Sequence, residues 1–545
     1  MQYRLETPPT AHMERPATSI ALGSVAGETG AIALTLAPGF ERPALVAASM
    51  LADILGDKVR LGAAVPAVTR LHVHVGPAAP GCVAGVPTLW IPPCDTEVDV
   101  RVRLTTKPWA DCPALELRGL GWSTGAPRPA QMQEMTEADL CVAVDSFWRL
   151  NAQLPGIFAR EVLRHGTADG DMRTLLSAQI AMRALLSRIL PLPPRADRAI
   201  SLLTIDAEDQ KGYFINRRGK CSNVRGVPDD DLQFAKCCRT IMDRCEARGL
   251  KAIFMVTGDE IHPSFRDAFG DPLIGLEDNR RVLDEMPARG HDVACHGFDH
   301  EWWLSKGRSA IVPMTLGAKL RYFAETSGDL RILFGLAVFL LANAPTLGRA
   351  HKAARAIATG GPFTIEEVRN DLEQWMACTG QSPRRFLIRY PGYVRSAATL
   401  EFLDGRFEAT MDSSDLYDLE VDLPSYPYTL LSDDGGILRR TRVTEIPCVW
   451  IDKLLRTRDP KSADPQIERL ERLARFPDSI LSFVTHTKVL GSTWGHCHVY
   501  LANPLKGLAL PADQSSWDRF ANLLATRTVS CNRRDLESAL YGATA

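Results

Sequence analysis

Residues 200–209 read ISLLTIDAED, a short apolar run followed directly by three acidic residues. A similar order recurs in residues 291–300, HDVACHGFDH, where a short apolar segment precedes two histidines, and in residues 480–486, ILSFVTH. Short apolar runs bounded by turn signals are typical of buried strands. Each of these strands is therefore expected to deliver polar side chains to its carboxyl end.

Amphipathic helical patterns separate these strands. We predict helices at residues 231–248, 276–289, 364–379 and 397–403, and further strands at 251–256, 292–294 and 385–388. Such strand–helix repetition predicts an α/β fold with a mostly parallel sheet, either open or closed as a barrel. In both architectures the active site forms where the strands end.

The first 190 residues have a different texture and predict a small, separate α/β domain. Its predicted strands are residues 31–36, 70–75, 88–91 and 98–104, and its predicted helices are residues 43–55, 137–151 and 172–190. The proline-rich residues 191–198 predict a linker, because prolines block helix continuation. His72 and His74 share a face of one predicted strand, and for both we favour a structural role over metal binding.

Composition narrows the class of protein. A formal net charge of -2 over 545 residues gives no general attraction to nucleic acid or to an anionic membrane. Thirteen scattered cysteines without a CxxC pair, and no signal-peptide pattern at the start, predict reduced thiols and a cytoplasmic protein. The longest apolar run, residues 332–342, is shorter than the roughly 20 residues of a membrane span and predicts a buried or interfacial helix. Nothing in the sequence indicates an oligomeric state.

His296 and His300 are four residues apart. If a helical turn begins at His296, both imidazoles project from one face and can share one metal ion. A carboxylate from the end of the first strand would complete a set of two histidines and one acid, with positions left for water and substrate. Such a set suits zinc, cobalt, iron or manganese, and the spacing alone does not select among them.

Together these segments resemble the polysaccharide deacetylase (NodB-homology, carbohydrate esterase family 4-like) family. LTIDAED is similar to the first family motif, HDVACHGFDH to the second, and LSFVTHT to the last. The segments between them resemble the family in the same order: KAIFMVTG, FTIEEVRNDLEQWMACTGQSPRRFLIRYPGY, LDGRFEATMDSSD and TEIPCVW. The resemblance covers about residues 200–540. It implies a distorted (β/α)7-type barrel over residues 199–545, with residues 304–362 as a helical insertion.

The resemblance also implies roles for single residues. It makes Glu208, His296 and His300 the metal ligands, with Asp209 as the alternative acid. Zinc is the first choice of metal, ahead of cobalt, iron, manganese or nickel. The remaining implied roles are Asp206 as general base, His486 as general acid, Arg389 as the partner of Asp206, and Asp412 (or Asp415) as the partner of His486.

The implied function is metal-dependent hydrolysis of an amide C–N bond that removes an acyl group, first of all acetyl, from an N-acylated amino sugar or glycan. Two alternatives stay open: a deacylase, deformylase or amidohydrolase acting on a small non-carbohydrate amide, and a non-catalytic glycan-binding module. The insertion is interpreted as a lid or a wall for a hydrophobic substrate group, or as a helical elaboration with its own small core. Weak membrane contact by the insertion is a separate open interpretation. Aromatic packing is favoured over sugar stacking for Trp302, Trp303 and Trp494, and loop positions over metal binding for His496 and His498.

Overall fold

The computed structural model describes most of the chain after residue 197 and eight strands before it. The described residues are 198–541 except 209–212, 229–232, 268, 307–328, 347, 350–351, 353–362, 383–384, 394–396, 417–427, 435–436, 475–479 and 498–509. Contacts divide the chain into two units, Met1–Arg195 with Val421–Thr444, and Ala196–Glu420 with Glu445–Ala545. The sequence analysis does not separate Val421–Thr444 from the barrel, and the functional domain boundaries stay a prediction.

The first unit contains a six-stranded mixed sheet. Its strands run in the order β1-β2-β4-β5-β6, with β3 beside β2, and β7 and β8 form a separate antiparallel pair. Strands β2, β3, β4 and β5 pair in parallel. The bounds are β1 Ala21–Val25, β2 Glu28–Leu36, β3 Val59–Leu61, β4 Thr69–Val75, β5 Thr88–Ile91, β6 Arg103–Thr105, β7 Glu116–Arg118 and β8 Gly121–Ser123.

Three strands predicted in the first unit match β2, β4 and β5. The strand predicted at residues 98–104 overlaps only β6. His72 and His74 lie in β4, but their side chains are outside the described part of the chain, as are the helices predicted at 43–55, 137–151 and 172–190.

The second unit alternates strands and helices. The remaining strands are β9 Ile200–Ala207, β10 Tyr213–Asn216, β11 Cys221–Ser222, β12 Ala252–Val256, β13 Asp292–Cys295, β14 Arg385–Ile388, β15 Glu408–Leu416, β16 Tyr428–Asp434, β17 Ile437–Trp450, β18 Ile480–His486, β19 Trp494–Cys497 and β20 Val529–Ser530. Of these, β16 and the part of β17 up to Thr444 belong to the first unit. The helices are α1 Phe234–Glu246, α2 Leu276–Ala288, α3 His300–Lys306, α4 Leu330–Ala342, α5 Ile365–Thr379, α6 Ala397–Arg406, α7 Asp452–Arg456, α8 Pro460–Leu473, α9 Thr487–Leu490, α10 Gln514–Arg527 and α11 Arg533–Tyr541.

Seven of these strands close into a barrel. Their order is β12-β13-β14-β15-β17-β18-β9, and β9 pairs back with β12 to complete the ring. The pairings of β9 with β12 and β18 are parallel, as are β12–β13, β13–β14, β14–β15 and β17–β18. Neighbours in the ring are consecutive in the chain, apart from β10, β11 and β16, which lie between barrel strands in sequence. The predicted (β/α)7-type barrel is therefore confirmed.

Side-chain alternation along β9 sets the character of the barrel interior. Residues two apart point to the same face of a strand, and Ile200 and Leu202 belong to the central apolar cluster. The same alternation carries Thr204 and Asp206 inward nearer the carboxyl end. The cluster is completed by residues of six other elements and by Cys531, which lies between β20 and α11: Ile253, Met255, Ala294, Leu387, Ile446, Ile480, Cys531 and Leu536. The amino-terminal part of the barrel is thus apolar, and its carboxyl end is left for polar groups.

Helix α5 shows how local sequence sets a helix of the outer layer. Thr364 accepts a hydrogen bond from the backbone N–H of Glu367, whose side chain in turn accepts one from the backbone N–H of Thr364, a reciprocal capping box. Gly380, with φ 68°, ends the helix in the left-handed conformation that glycine adopts without strain. The inner face of α5 buries Val368, Leu372 and Trp375, together with the acid Asp371.

A second small sheet carries the apolar helix of the insertion. Strands β11, β10 and β19 form this sheet, and Ile332 and Leu336 of α4 pack with Tyr213, Ile215 and Leu510. The apolar run was predicted to be a buried or interfacial helix, and α4 is buried on one side only. Among the described helices, none is long and apolar enough to cross a bilayer.

Candidate active site

The carboxyl ends of four barrel strands bring charged side chains together. Asp206 lies near the end of β9 and is level with His486, the last residue of β18. His296 directly follows β13, and Arg389 directly follows β14, which neighbours β13. All four side chains are buried. Residues distant in sequence become neighbours because each lies at the carboxyl end of a barrel strand, as the sequence analysis predicted for the polar groups.

Glu208, His296 and His300 form a compact group of possible metal ligands. One ligand atom from each lies within 4.8 Å of the others, and all three residues are buried. The carboxylate of Glu208 lies 3.7 Å from His296 Nε2 and is in direct contact with His300 Nε2. Asp209, the alternative acid, lies outside the described residues.

Hydrogen bonds fix the direction in which His296 faces this group. Its Nδ1 donates to the backbone carbonyl of Arg389 at 2.8 Å, so Nε2 is left facing Glu208. The backbone of Glu208 is itself held, because the buried ammonium of Lys488 donates to its carbonyl at 2.9 Å. A ligand histidine whose second nitrogen binds a carbonyl is the usual arrangement at metal sites.

The loop between the two histidines is not the helical turn considered in the sequence analysis. Gly297 adopts φ 76°, and α3 begins only at His300. The backbone N–H groups of Phe298 and Asp299 both donate to the carboxylate of Asp371, at 2.9 Å. The two imidazoles still come close, with ring centres 5.4 Å apart.

Asp371 is a buried acid that the sequence analysis did not single out. Besides the two backbone N–H groups, its carboxylate accepts a hydrogen bond from Trp303 Nε1 at 2.8 Å. Burial raises the pKa of Asp371 to about 7, although the three N–H donors oppose this shift. Its position in the middle of α5, with no strand end beside it, gave no signal in the sequence.

The three candidate ligands fit a divalent cation. Metal–nitrogen and metal–oxygen distances are about 2.0–2.2 Å, and donors this close together can be bridged by one ion. Burial opposes the charged form of His300, but the Glu208 carboxylate outweighs it and raises the pKa of His300 to about 10. The Glu208 carboxylate thus favours positive charge at this group. Its mixed nitrogen and oxygen donors suit zinc and its neighbours in the first transition row.

Asp206 borders the group on one side. Its Oδ2 lies 3.9 Å from His296 Nε2, while its Oδ1 forms an ion pair with Arg389 Nη1. Arg389 is buried and also donates through Nη2 to Thr204 Oγ1, which donates to the backbone carbonyl of Phe483 at 2.6 Å. One carboxylate oxygen of Asp206 is thus fixed by arginine, and the other faces the candidate metal ligands.

His486 borders the same group through Glu208. Its Nε2 lies 3.2 Å from Glu208 Oε1, and its Nδ1 lies 2.8 Å from Asp452 Oδ2. Burial opposes protonation, but the charges of Asp452 and Glu208 hold the pKa of His486 well above its ordinary value. Burial also works against the charge of Asp452, yet His486 lowers the pKa of Asp452 to about 2. The two residues form a buried pair of opposite charges.

Asp452 takes the position for which the sequence analysis named Asp412 or Asp415. The hydrogen bond of His486 Nδ1 goes to Asp452, which is also held by Thr485 Oγ1 at 2.6 Å. Asp412 lies in β15, and its side chain is outside the described part of the chain. The segment TEIPCVW considered in the sequence analysis ends at Trp450. Asp452 lies two residues after the end of this strand, the same kind of position from which the other acids were selected.

The remaining candidates lie in apolar surroundings or outside the described residues. Trp303 is fully buried and packs near Trp302, Phe363 and Tyr390. Trp494 is buried with Phe214 and Val227. The side chains of His496 and His498 are not among the described residues.

The sequence matches no protein-family model and no curated protein. Among solved structures it is similar to a proposed polysaccharide deacetylase from Mycobacterium smegmatis, with 11% identity and a TM-score of 0.31 over 63% of this chain and 90% of that one. A CE4 family pseudoenzyme from Bacillus anthracis has 10% identity and a TM-score of 0.27, over 64% and 67% of the two chains. A polysaccharide deacetylase from Bacillus cereus has 10% identity and a TM-score of 0.25, over 62% and 94%.

Proposed function

We propose that this chain is a metal-dependent amide hydrolase that removes an acyl group, first of all acetyl, from an N-acylated amino sugar or glycan. One observation carries the proposal: the candidate metal ligands Glu208, His296 and His300 are bordered by a carboxylate, Asp206, and by the imidazole of His486, whose pKa is held well above its ordinary value by Asp452 and Glu208. Hydrolysis of an amide needs both a base for the attacking water and an acid for the leaving nitrogen.

The proposed cation, with zinc as first candidate, would be held by Glu208, His296 and His300. When bound, it would supply a Lewis acid that polarises the amide carbonyl and lowers the pKa of a water. The contribution of the chain is to hold the three donors in a buried pocket and to keep His296 Nε2 directed at them through the bond from Nδ1 to the Arg389 carbonyl.

Asp206 is the proposed general base. Its Oδ2 faces the candidate ligands and is placed to take the proton of the attacking water, while Arg389 holds the other oxygen. Because Arg389 is anchored through Thr204 to the backbone of β18, the carboxylate keeps one orientation. A base that is held in place loses little free energy in reorganising during the reaction.

His486 is the proposed general acid. An amine is a poor leaving group until its nitrogen receives a proton, and Nε2 of His486 faces the site while Nδ1 is held by Asp452. The raised pKa of His486, caused by Asp452 and Glu208, keeps this imidazole protonated at neutral pH. After donation, the neutral ring remains fixed in the tautomer with its hydrogen on Nδ1.

The experiment combines metal analysis with amine release. The purified full chain is loaded with zinc or cobalt, and free amine is measured over N-acetyl amino sugars, their oligomers, and small N-acetyl and N-formyl amides. We expect metal-dependent release from the sugars. Release from the small amides alone would favour the second enzyme class, and metal-independent glycan binding without turnover would favour a binding module.

Site variants separate the proposed chemistry from incidental activity. His296→Ala and His300→Ala are each expected to abolish metal retention and amine release together. Glu277→Ala is the control, since Glu277 is exposed on α2, where it pairs with Arg281 outside the ligand group, and this variant is expected to retain both. Amine release that persists in both ligand variants would overturn the proposal.

A further inference from the structure

Helix α4 presents an exposed apolar face to the outside of the protein. The side chains that form it are exposed for at least half of their area: Leu330 by 73%, Phe334 by 73%, Val338 by 50% and Leu341 by 77%. Their spacing of four, four and three residues puts them on one side of the helix. Exposed apolar stripes of this kind mark contact surfaces on folded proteins.

The opposite face of α4 is firmly packed, which fixes the direction of the exposed one. Ile332 and Leu336 are buried, and Gly335 lies against the turn after β10. A Cβ added at Gly335 would be 1.8 Å from the backbone oxygen of Gly219, so the two backbones are in direct contact. The backbone contact at Gly335 and the burial of Ile332 and Leu336 fix which side of α4 faces the protein. The apolar stripe on the other side therefore faces outward.

The insertion that contains α4 is strongly basic. Residues 304–362 include eight lysine and arginine residues and two acidic ones, a formal charge of +6, although the whole chain carries -2. Arg349 and Lys352, just after α4, are exposed. Arg331 is paired with Asp329 at 2.7 Å, and Lys306 is buried beside Glu367, so these two contribute less.

We propose that this face of α4, together with Arg349 and Lys352, docks on an anionic bilayer surface. An apolar stripe flanked by cations gains both from burial in the headgroup region and from attraction to anionic lipid. The helix would lie along the surface, with Leu330, Phe334, Val338 and Leu341 toward the bilayer. The net charge of the whole chain, -2, predicts no attraction to an anionic membrane. The local excess of positive charge in residues 304–362 predicts that this part of the chain is attracted.

A second copy of the chain is the other obvious occupant, and the charge opposes it. Pairing two α4 faces would bring the exposed Arg349 and Lys352 of one copy near those of the other, and like charges across an interface cost free energy. An anionic surface instead neutralises this charge. The inference does not depend on the amide hydrolase site, so each can fail separately.

Co-sedimentation of the full chain with vesicles tests the inference. We expect binding to vesicles that mix phosphatidylcholine with phosphatidylglycerol, weak binding to phosphatidylcholine alone, and release by added salt. Phe334→Asp/Leu341→Asp and Arg349→Glu/Lys352→Glu are each expected to reduce partitioning about tenfold. Arg281→Glu, an exposed charge reversal on α2 away from the insertion, is the matched control and should bind as the unchanged chain does.

Circular dichroism and thermal melting confirm that each variant is folded before binding is compared. Absence of binding to the anionic vesicles, or equal binding by Phe334→Asp/Leu341→Asp, would overturn the inference. So would a dimer in light scattering that Phe334→Asp dissociates, because the face would then be occupied by a second copy.

Discussion

At the scale of single residues, the His486–Asp452 pair decides the state of the proposed acid. The two side chains are buried and share a hydrogen bond of 2.8 Å. A histidine is half protonated near neutral pH in water, and the neighbouring carboxylate shifts the balance toward the charged ring. The raised pKa of His486 and the lowered pKa of Asp452 describe the same attraction seen from each partner.

Asp452→Asn is expected to reduce kcat/KM by about 100-fold, within the range found for groups that support general acid catalysis. The protonated imidazole is the active form, so activity falls as pH rises through the pKa of His486. Removing the carboxylate lowers that pKa, and the alkaline limb of the pH profile should move to lower pH. The measurement is kcat/KM against pH.

Asp412→Asn is the matched comparison for this prediction, because the sequence analysis assigned the same role to Asp412. We expect it to leave the alkaline limb where it is. A shift caused by Asp412→Asn and absent in Asp452→Asn would return the role to Asp412.

At the residue scale, the position of a residue at the end of a strand predicted its presence in the site better than its residue type did. Asp206, His296, Arg389 and His486 lie at or just after the ends of apolar strands, and the family resemblance supplied their roles; the structure brings the four residues together. Their roles stay proposals. Asp371 gave no such signal, since it lies in α5 and acts on the loop of another segment. A contact of that kind depends on how a helix packs, which the pattern of one segment does not contain.

At the scale of elements, α5 supports the loop that carries the two histidines. The capping box at Thr364 fixes where the helix begins, and its inner face then places Asp371 against the N–H groups of Phe298 and Asp299. Gly297 makes the required left-handed turn. The distance between His296 and His300 therefore depends on a helix that follows them by some seventy residues.

Asp371→Ala is expected to weaken metal binding about 10-fold to 100-fold, as loss of an outer hydrogen-bond partner does at other metal sites. Three buried N–H groups lose their acceptor, and the loop then relaxes away from the ligand position. Affinity is measured by titrating the metal-free chain with zinc or cobalt. Glu366→Ala, an exposed change on the same helix, is the control and should bind metal as before. Unchanged affinity in Asp371→Ala would contradict the proposed support.

The strands and helices of the barrel were predictable from sequence, and the strands of the small second sheet were not. Strand Arg385–Ile388 was predicted with its observed bounds, and α2 was predicted to within one residue. The sheet of β10, β11 and β19 was missed, because these strands of two to four residues show no alternation and stand outside the strand–helix repetition that marked the barrel strands. This sheet packs against α4, so the orientation of that helix could not be predicted from the sequence either.

At the scale of the whole molecule, the barrel separates apolar and charged groups along its axis. The amino-terminal part is filled by apolar side chains, and the carboxyl end collects Asp206, Glu208, His296, His300 and His486. Closure through the β9–β12 pairing brings the first strand beside both the second and the last. The order of motifs in the chain thereby becomes a ring around one site, which is why a fold prediction also predicted most of the site.

An anomalous difference map from crystals of the zinc-loaded chain tests the proposed metal centre most directly. We predict one ion, about 2.0–2.2 Å from a Glu208 oxygen and from Nε2 of His296 and His300, with Asp206 and His486 within one water of it. An ion bound elsewhere, or no ion in a chain saturated with zinc, would contradict the proposal.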